Sequence, residues 1–264
     1  MPEGHTVHRT ANHINRAFEN QFVRVSSPQG RFSGEAKLVD KQRLIRAWAV
    51  GKQMFIDFEN DLSIHIHLGI YGKWQFHSSD VEPDVVGQVR MRIAGNQKVV
   101  DLRGPTTCEV IGIDEVNNLL KRFGPDPLNP NPRRAESNRF SKRVRASKSS
   151  IGLLLMNQQV ISGIGNVYRA ELLYRHGLNP HTPGNLITDE QLQALWDDCV
   201  ALMKVGVKTG FMITRDELFT KRPTKEERNW VYKREGQPCR GCGTEVILEI
   251  MATRKLYWCP RCQA

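Results

Sequence analysis

Val7, Ala11, Ile14 and Phe18 recur every three or four positions, the spacing that puts apolar side chains on one face of a helix. They predict an amphipathic helix over residues 5–19. From Phe22 onward the period shortens. Runs at 22–25, 44–50, 53–58, 62–68, 73–76, 89–93, 98–102 and 108–111 are short and rich in β-branched and aromatic residues. Turn signals separate them, among them Gly51-Lys52, Glu59-Asn60-Asp61 and Gly95-Asn96. Many short strands without helices between them predict a β-sandwich or barrel. Asp114 is placed to cap a short helix ending near Arg122.

Four prolines then crowd the stretch from Gly124 to Pro132, which reads as a connection between domains, 123–133. Beyond it the pattern is helical, with candidates at 151–159 and 166–176. Thr188 and Gln191 form a capping box ahead of Leu192, Leu195, Cys199 and Leu202. From Lys221 to Arg234 the chain is polar and basic and reads as a loop. The expectation is an α+β chain with an N-terminal domain 1–122, a helical domain 134–222 and a tail 230–264. No apolar run approaches the ~20 residues needed to span a membrane, and the N-terminus lacks the apolar core of a signal peptide. A cytoplasmic monomer is expected.

The tail carries Cys239-Arg-Gly-Cys242 and Cys259-Pro-Arg-Cys262, two Cys-x-x-Cys pairs separated by sixteen residues. That spacing suits one four-thiolate zinc site, closed and structural, with no position open to substrate. Two redox pairs or two local disulfides are the alternatives, but each pair is flanked by turn residues rather than a βαβ pattern. The tail is too short to bury a core alone, so a metal would supply what packing cannot. Cys108 and Cys199 read as ordinary buried thiols.

Charge sharpens the picture. Net charge is +10, yet residues 1–118 contain fourteen basic and fourteen acidic side chains. The whole excess lies beyond them. Between Lys121 and Lys148 nine Lys/Arg face only Asp126 and Glu136. Such a run beside a basic tail points to a phosphate backbone as partner, with a plain solvated surface as the alternative.

Two stretches could carry chemistry. In Ser162-Gly163-Ile164-Gly165-Asn166-Val167-Tyr168, glycines join two predicted helices and Asn166 stands at the start of the second, where exposed N–H groups suit a phosphate. A plain interhelical turn is the alternative. At the N-terminus, removal of Met1 would leave Pro2, a secondary amine able to attack an aldehyde-like carbon and form an iminium, with Glu3 beside it to move protons. Lys52, after Gly51 in a strand turn, reads by itself as a surface lysine. His65 and His67 alternate along one strand, where packing or polar roles outweigh a metal.

Taken together, Pro2-Glu3-Gly4, Gly51-Lys52, His67-Leu-Gly-Ile-Tyr-Gly72, Arg122-Phe-Gly-Pro-Asp126, Gly163-Ile-Gly-Asn-Val-Tyr168 and Arg254…Tyr257-Trp-Cys-Pro-x-Cys262 have one order and spacing. In these the chain resembles the formamidopyrimidine-DNA glycosylase/endonuclease VIII family, from residue 2 to the C-terminus. The resemblance implies an N-terminal β-sandwich with flanking helices, a helix–two-turn–helix domain and a zinc-finger β-hairpin that together hold damaged DNA. It implies a bifunctional glycosylase/lyase of base excision repair. Pro2 would be the nucleophile at C1′, Glu3 the acid–base group, and Lys52 a proton donor and phosphate contact. Arg122, Asn166 and Arg254 would hold phosphates, with Arg254 also assisting the second elimination. Ile70 and Tyr71 would wedge into the gap left by an extruded base; sandwich core is the alternative.

Two departures stand out. Where relatives often carry a second N-terminal glutamate, this chain has Thr6, preceded by His5. The stretch from Lys208 to Arg234 also lacks the glycine-rich loop of purine-specific members. Oxidised pyrimidines are therefore the expected substrates. A purine-excising relative and a non-catalytic DNA binder are the other readings.

Overall fold

The computed structural model describes residues 2–78 and 83–264. These fall into two compact units, the first ending at Arg122 and the second beginning at Phe123. The proline-rich stretch 123–133, expected as a connection between domains, groups with the second unit.

In the first unit, helix α1 spans Gly4–Phe18 and buries Val7, Ala11, Ile14 and Phe18, the positions picked out by the periodicity. Strands follow at β1 (Gln21–Phe22), β2 (Arg24–Ser26), β3 (Arg43–Val50), β4 (Gln53–Phe58), β5 (Leu62–His67), β6 (Lys73–Ser78), β7 (Met91–Gly95), β8 (Lys98–Arg103) and β9 (Thr107–Gly112). They form a five-stranded sheet, β1-β3-β4-β5-β9, and a four-stranded sheet, β2-β7-β8-β6. Ile56 and Ile64 of the first share one buried cluster with Ile93 and Val100 of the second and with the apolar face of α1. The sandwich buries its core between the sheets, and α1 seals one side.

Helix α2 (Ser33–Val39) follows β2. Helix α3 (Ile113–Leu120) lays Val116 on the outer face of the larger sheet, against Phe55 and Ile111. Its cap is Gly112, whose N–H is held by Glu115, so Asp114 lies inside the first turn instead of capping it. His65, on the same outer face, is held by Glu109 and Gln53 and stacks on Phe55. That geometry accounts for it by packing and hydrogen bonding.

The second unit contains α4 (Ala135–Arg145), α5 (Ile151–Leu154), α6 (Asn166–Arg175) and α7 (Asp189–Thr209), then the antiparallel hairpin β10 (Ile247–Met251) and β11 (Arg254–Trp258). The capping box forms as expected: Gln191 N–H donates to Thr188 Oγ1 at 3.2 Å and Thr188 N–H to Gln191 Oε1 at 3.0 Å. The helix expected over 151–159 stops early. Asn157 Oδ1 accepts from Gln159 N–H, and Gln158 bonds both Ile164 O and Gly163 N–H, so side chains divert the backbone into the turn before α6. Gly124 N–H donates to Gln158 O and Ser162 N–H to Pro125 O, which fixes the proline-rich stretch to that turn.

Glu171 on α6 is wholly buried. Its carboxylate accepts from the backbone N–H groups of Trp230, Val231 and Tyr232 at 2.7–2.9 Å and from the Thr214 hydroxyl. Glu171→Ala would leave those donors buried without an acceptor. The expected cost is about 3–5 kcal/mol, read as a lower urea midpoint at constant slope. A midpoint within error of the parent would show that the donors find other partners.

Candidate functional site

The first unit gathers several of the singled-out residues at one end. Glu3, almost fully buried, is the N-cap position of α1 in extended backbone, and Pro2 before it is half-buried. Helix α1 lies against β3 and runs opposite to it. Asn20 N–H donates to Leu44 O, and three residues further along the strand Asn15 brackets Ala47, donating to its carbonyl and accepting from its N–H. From that bracket, about 18 Å of helix leads to Glu3 and about 17 Å of strand to Lys52, in the same direction. Pro2, Glu3 and the Gly51-Lys52 turn thus reach the same end of the sheet.

The turn after β5 comes to this end too, because Gln53 pairs with His67 across β4 and β5. Lys52 lies close enough to His67 for its charge to add to burial in lowering that imidazole's pKa. Gly69 has φ +64°, and a Cβ there would collide with the Thr106 side chain. Only glycine fits this turn. The turn holds Ile70 and Tyr71 in solvent, 64% and 83% exposed. The core alternative for this pair is excluded, and an apolar tip at the rim remains. Arg122 is exposed at the end of the unit, after α3.

His5 is the residue sequence reasoning underused. It is 2% exposed, with Nε2 3.2 Å from Thr6 Oγ1. Burial, then the charges of His8 and Arg9, push its pKa down to about 4. The position beside the missing second carboxylate therefore holds a neutral imidazole at neutral pH.

In the second unit Asn166 begins α6, with Gly165 as the extended N-cap residue and Gly163 at φ +94° before it. Its side chain is already engaged: Nδ2 donates to Lys255 O at 2.7 Å, and Oδ1 accepts from the buried Arg169, which also reaches Lys255 O. The same bonds bring the hairpin tip to α6. A two-residue turn, Ala252-Thr253, joins β10 to β11 with both residues at positive φ, and exposed Arg254 follows directly. Asn166 and Arg254 are thus brought close together through the bond of Asn166 to the next residue, Lys255.

The four tail cysteines meet in one cluster, their sulfurs all within 4.8 Å of one another. Cys239–Cys262 and Cys242–Cys259 sulfurs lie 3.9 and 3.5 Å apart. A zinc ion about 2.3 Å from each thiolate sets tetrahedral edges of about 3.8 Å. The cluster therefore fits one structural zinc, and pairs from both ends of the hairpin contribute to it. Of the other thiols, Cys199 is buried, while Cys108 is half-buried and pushed up to about 12 by desolvation. No described helix is long and apolar enough to cross a membrane.

Known proteins match along the whole chain. The formamidopyrimidine-DNA glycosylase N-terminal domain matches residues 1–108, the formamidopyrimidine-DNA glycosylase H2TH domain residues 123–217, and the zinc finger found in FPG and IleRS residues 236–264. Endonuclease 8 1 of Mycobacterium tuberculosis (strain ATCC 25618 / H37Rv) is 43% identical over 272 residues, covering all of both chains. Endonuclease 8 of Escherichia coli O6:H1 is 27% identical over 279 residues, again covering both. In fold, the chain is similar to Lactococcus lactis Fpg solved with abasic-site DNA, with TM-score 0.81, 21% identity and 99% of each chain covered. It is likewise similar to MutM (FPG) of Thermus thermophilus, with TM-score 0.79, 24% identity and coverage of 99% and 98%.

The neutral state of His5 has a measurable consequence. Between the ordinary value of 6.5 and about 4 the unfolded chain takes up a proton that native His5 refuses. Stability therefore falls as pH drops through that window. Urea midpoints at pH 7 and pH 5 should drop less in His5→Gln than in the parent; an equal drop would remove His5 as the cause.

Proposed function

The chain belongs to the formamidopyrimidine-DNA glycosylase/endonuclease VIII family of base-excision-repair DNA glycosylase/lyases, and from that premise we propose that it removes oxidised pyrimidines through a covalent intermediate at Pro2. What supports this reading is that the runs of α1, β3, β4 and β5 lead Pro2, Glu3, Lys52 and the Ile70-Tyr71 turn toward one end of the first unit. An amine nucleophile, a buried carboxylate, an ammonium and an apolar tip are the groups such chemistry requires.

In this reading the Pro2 nitrogen attacks C1′ and the bond to the damaged base breaks, Lys52 and Glu3 supplying and moving protons. The C1′–O4′ bond then breaks, O4′ taking up a proton as the sugar ring opens, and the resulting iminium draws electrons from the sugar and acidifies C2′. Loss of that proton expels the 3′ phosphate, and a second elimination expels the 5′ phosphate, with Arg254 stabilising the leaving group. No step changes oxidation state. Asn166 and Arg122 hold phosphates of the strand. The base leaves the stack at a cost of a few kcal/mol, and Ile70 with Tyr71 fill its place.

The pyrimidine preference draws on kinship to endonuclease 8 proteins and on the segment from Lys208 to Arg234. That segment contains a single glycine, Gly210. Its local bonds are specific: Arg228 lies 4.0 Å over the Phe211 ring, Arg215 bonds Glu227 O, and Thr214 N–H donates to Arg228 O. A segment tied up in this way is a poor flexible cover for a large flipped purine.

Two outcomes test the proposal. Met1 lies outside the described residues, so intact mass must first show its removal. Borohydride should then link the protein to lesion-bearing DNA. A retained Met1, or undiminished linkage in Pro2→Gly with its amine blocked, would sink the nucleophile assignment. Separately, single-turnover excision of thymine glycol or 5-hydroxycytosine should exceed that of 8-oxoguanine opposite cytosine by about ten- to a hundredfold, the worth of one or two lost pocket hydrogen bonds. Faster release of 8-oxoguanine would place the chain with purine-excising enzymes while leaving Pro2 untouched.

A further inference from the structure

The far end of α6 meets the cysteine cluster through a side chain with no part in the four-thiolate set. The Tyr174 hydroxyl lies 3.2 Å from Cys239 Sγ. Its ring stacks on Trp230, centroids 5.5 Å apart and planes inclined by 27°. Gly241, inside the Cys239–Cys242 turn, passes so close that a Cβ there would stand 2.7 Å from the hydroxyl oxygen. The N–H of Gly241 points at the same sulfur, 3.4 Å away. A cysteine that binds zinc has lost its proton, so the phenol must be the donor.

We propose that Tyr174 is a positioning residue of the zinc site, donating its hydroxyl proton to the Cys239 thiolate and locking the Cys239–Cys242 turn to α6. The stack on Trp230 needs only the ring; the hydroxyl is placed for the sulfur. A donated hydrogen bond draws charge from the thiolate and holds it in orientation, as outer-sphere partners of metal ligands do. The same helix holds the Arg254-Lys255 strand through Asn166 and Arg169, about 12 Å away along its axis. Two points on one rigid rod thus fix the hairpin in position and direction. The proposal rests on zinc occupying the cluster and is independent of which base is excised.

The test uses the full-length protein loaded with zinc or cobalt. Tyr174→Phe keeps the ring and removes the hydroxyl. Competition with a chromophoric chelator should show about tenfold weaker zinc binding, and the cobalt-substituted protein should move its thiolate-to-metal charge-transfer band to lower energy, since the sulfur becomes more electron-rich. Gly241→Ala, with the tyrosine intact, should reproduce both effects by crowding the hydroxyl out, and should add little in the Tyr174→Phe background. Parental zinc affinity with an unmoved band in Tyr174→Phe overturns the proposal. So does a Gly241→Ala effect of equal size in both backgrounds, because the hydroxyl would then not be what the added methyl meets. Should Tyr174→Phe fail to fold, the band of Gly241→Ala decides alone: shifted supports the hydrogen bond, unmoved overturns it.

Discussion

The second unit depends on a buried carboxylate. The chain beyond Trp230 has little apolar surface of its own, a small cluster of Val231, Val246 and Tyr257 around the cysteines and Ala170. Packing alone would leave it marginal. Glu171 changes this by collecting three consecutive backbone N–H groups from 230–232 and the Thr214 hydroxyl on one helix face. A buried carboxylate is costly without donors, and the donors are costly without it, so the arrangement tolerates neither loss. Gln263 works similarly at the end of the chain, where it accepts from Cys259 N–H and donates to Leu178 O just past α6. Metal closure and these polar ties together replace the missing core.

The first unit solves a different problem, that of register. An apolar helix face on a sheet can slide by a turn, about 5.4 Å, at modest cost. Asn15 opposes this because its amide both donates to and accepts from Ala47, two bonds that a slip would break. The reactive end of the helix is some three turns away, and any slip there would carry Glu3 out of reach of the Lys52 end. Positional accuracy at Pro2 and Glu3 is therefore bound up with a polar contact far from them.

How much of this could be read from the sequence follows from how local each signal is. The cysteine cluster was legible because its spacing encodes its geometry. Helix α1 and most strands were legible because one face of each is buried and periodic. Helix α2 was missed: it is short, contains Gly34, and buries only Ala36 and Val39. Helix α4 was hidden by its charge, with Phe140 and Val144 its only buried apolar residues and Ser137 buried through hydrogen bonds instead. Glu171 and Tyr174 gave no signal, since a glutamate and a tyrosine in a helix read as surface until their partners, some sixty residues away, are known. Pro2 and Glu3 were faint local signals and Lys52 was suggested by resemblance alone; that all three lie toward one end of the sheet follows only from the antiparallel run of α1 along β3.

Charge raises a last point, because many of the basic side chains are already held by partners inside the fold. Within the second unit Arg139 bonds Glu136 and Phe123 O, Arg143 bonds Gln159 O, and Arg145 pairs with Asp189. Arg169 and Arg175 are engaged inside the fold. Those bonds hold the side chains in place and stiffen helices and turns, while each guanidinium keeps its charge and further N–H donors. Counterion release follows the phosphates actually neutralised, not the formal count of Lys and Arg. The first 118 residues, by contrast, carry balanced charge, and their buried His5 stays neutral well below pH 7. The salt dependence of DNA affinity therefore reports the phosphates contacted, whichever unit supplies them. The lowered pKa of His5 is set first by burial, which mobile ions do not screen.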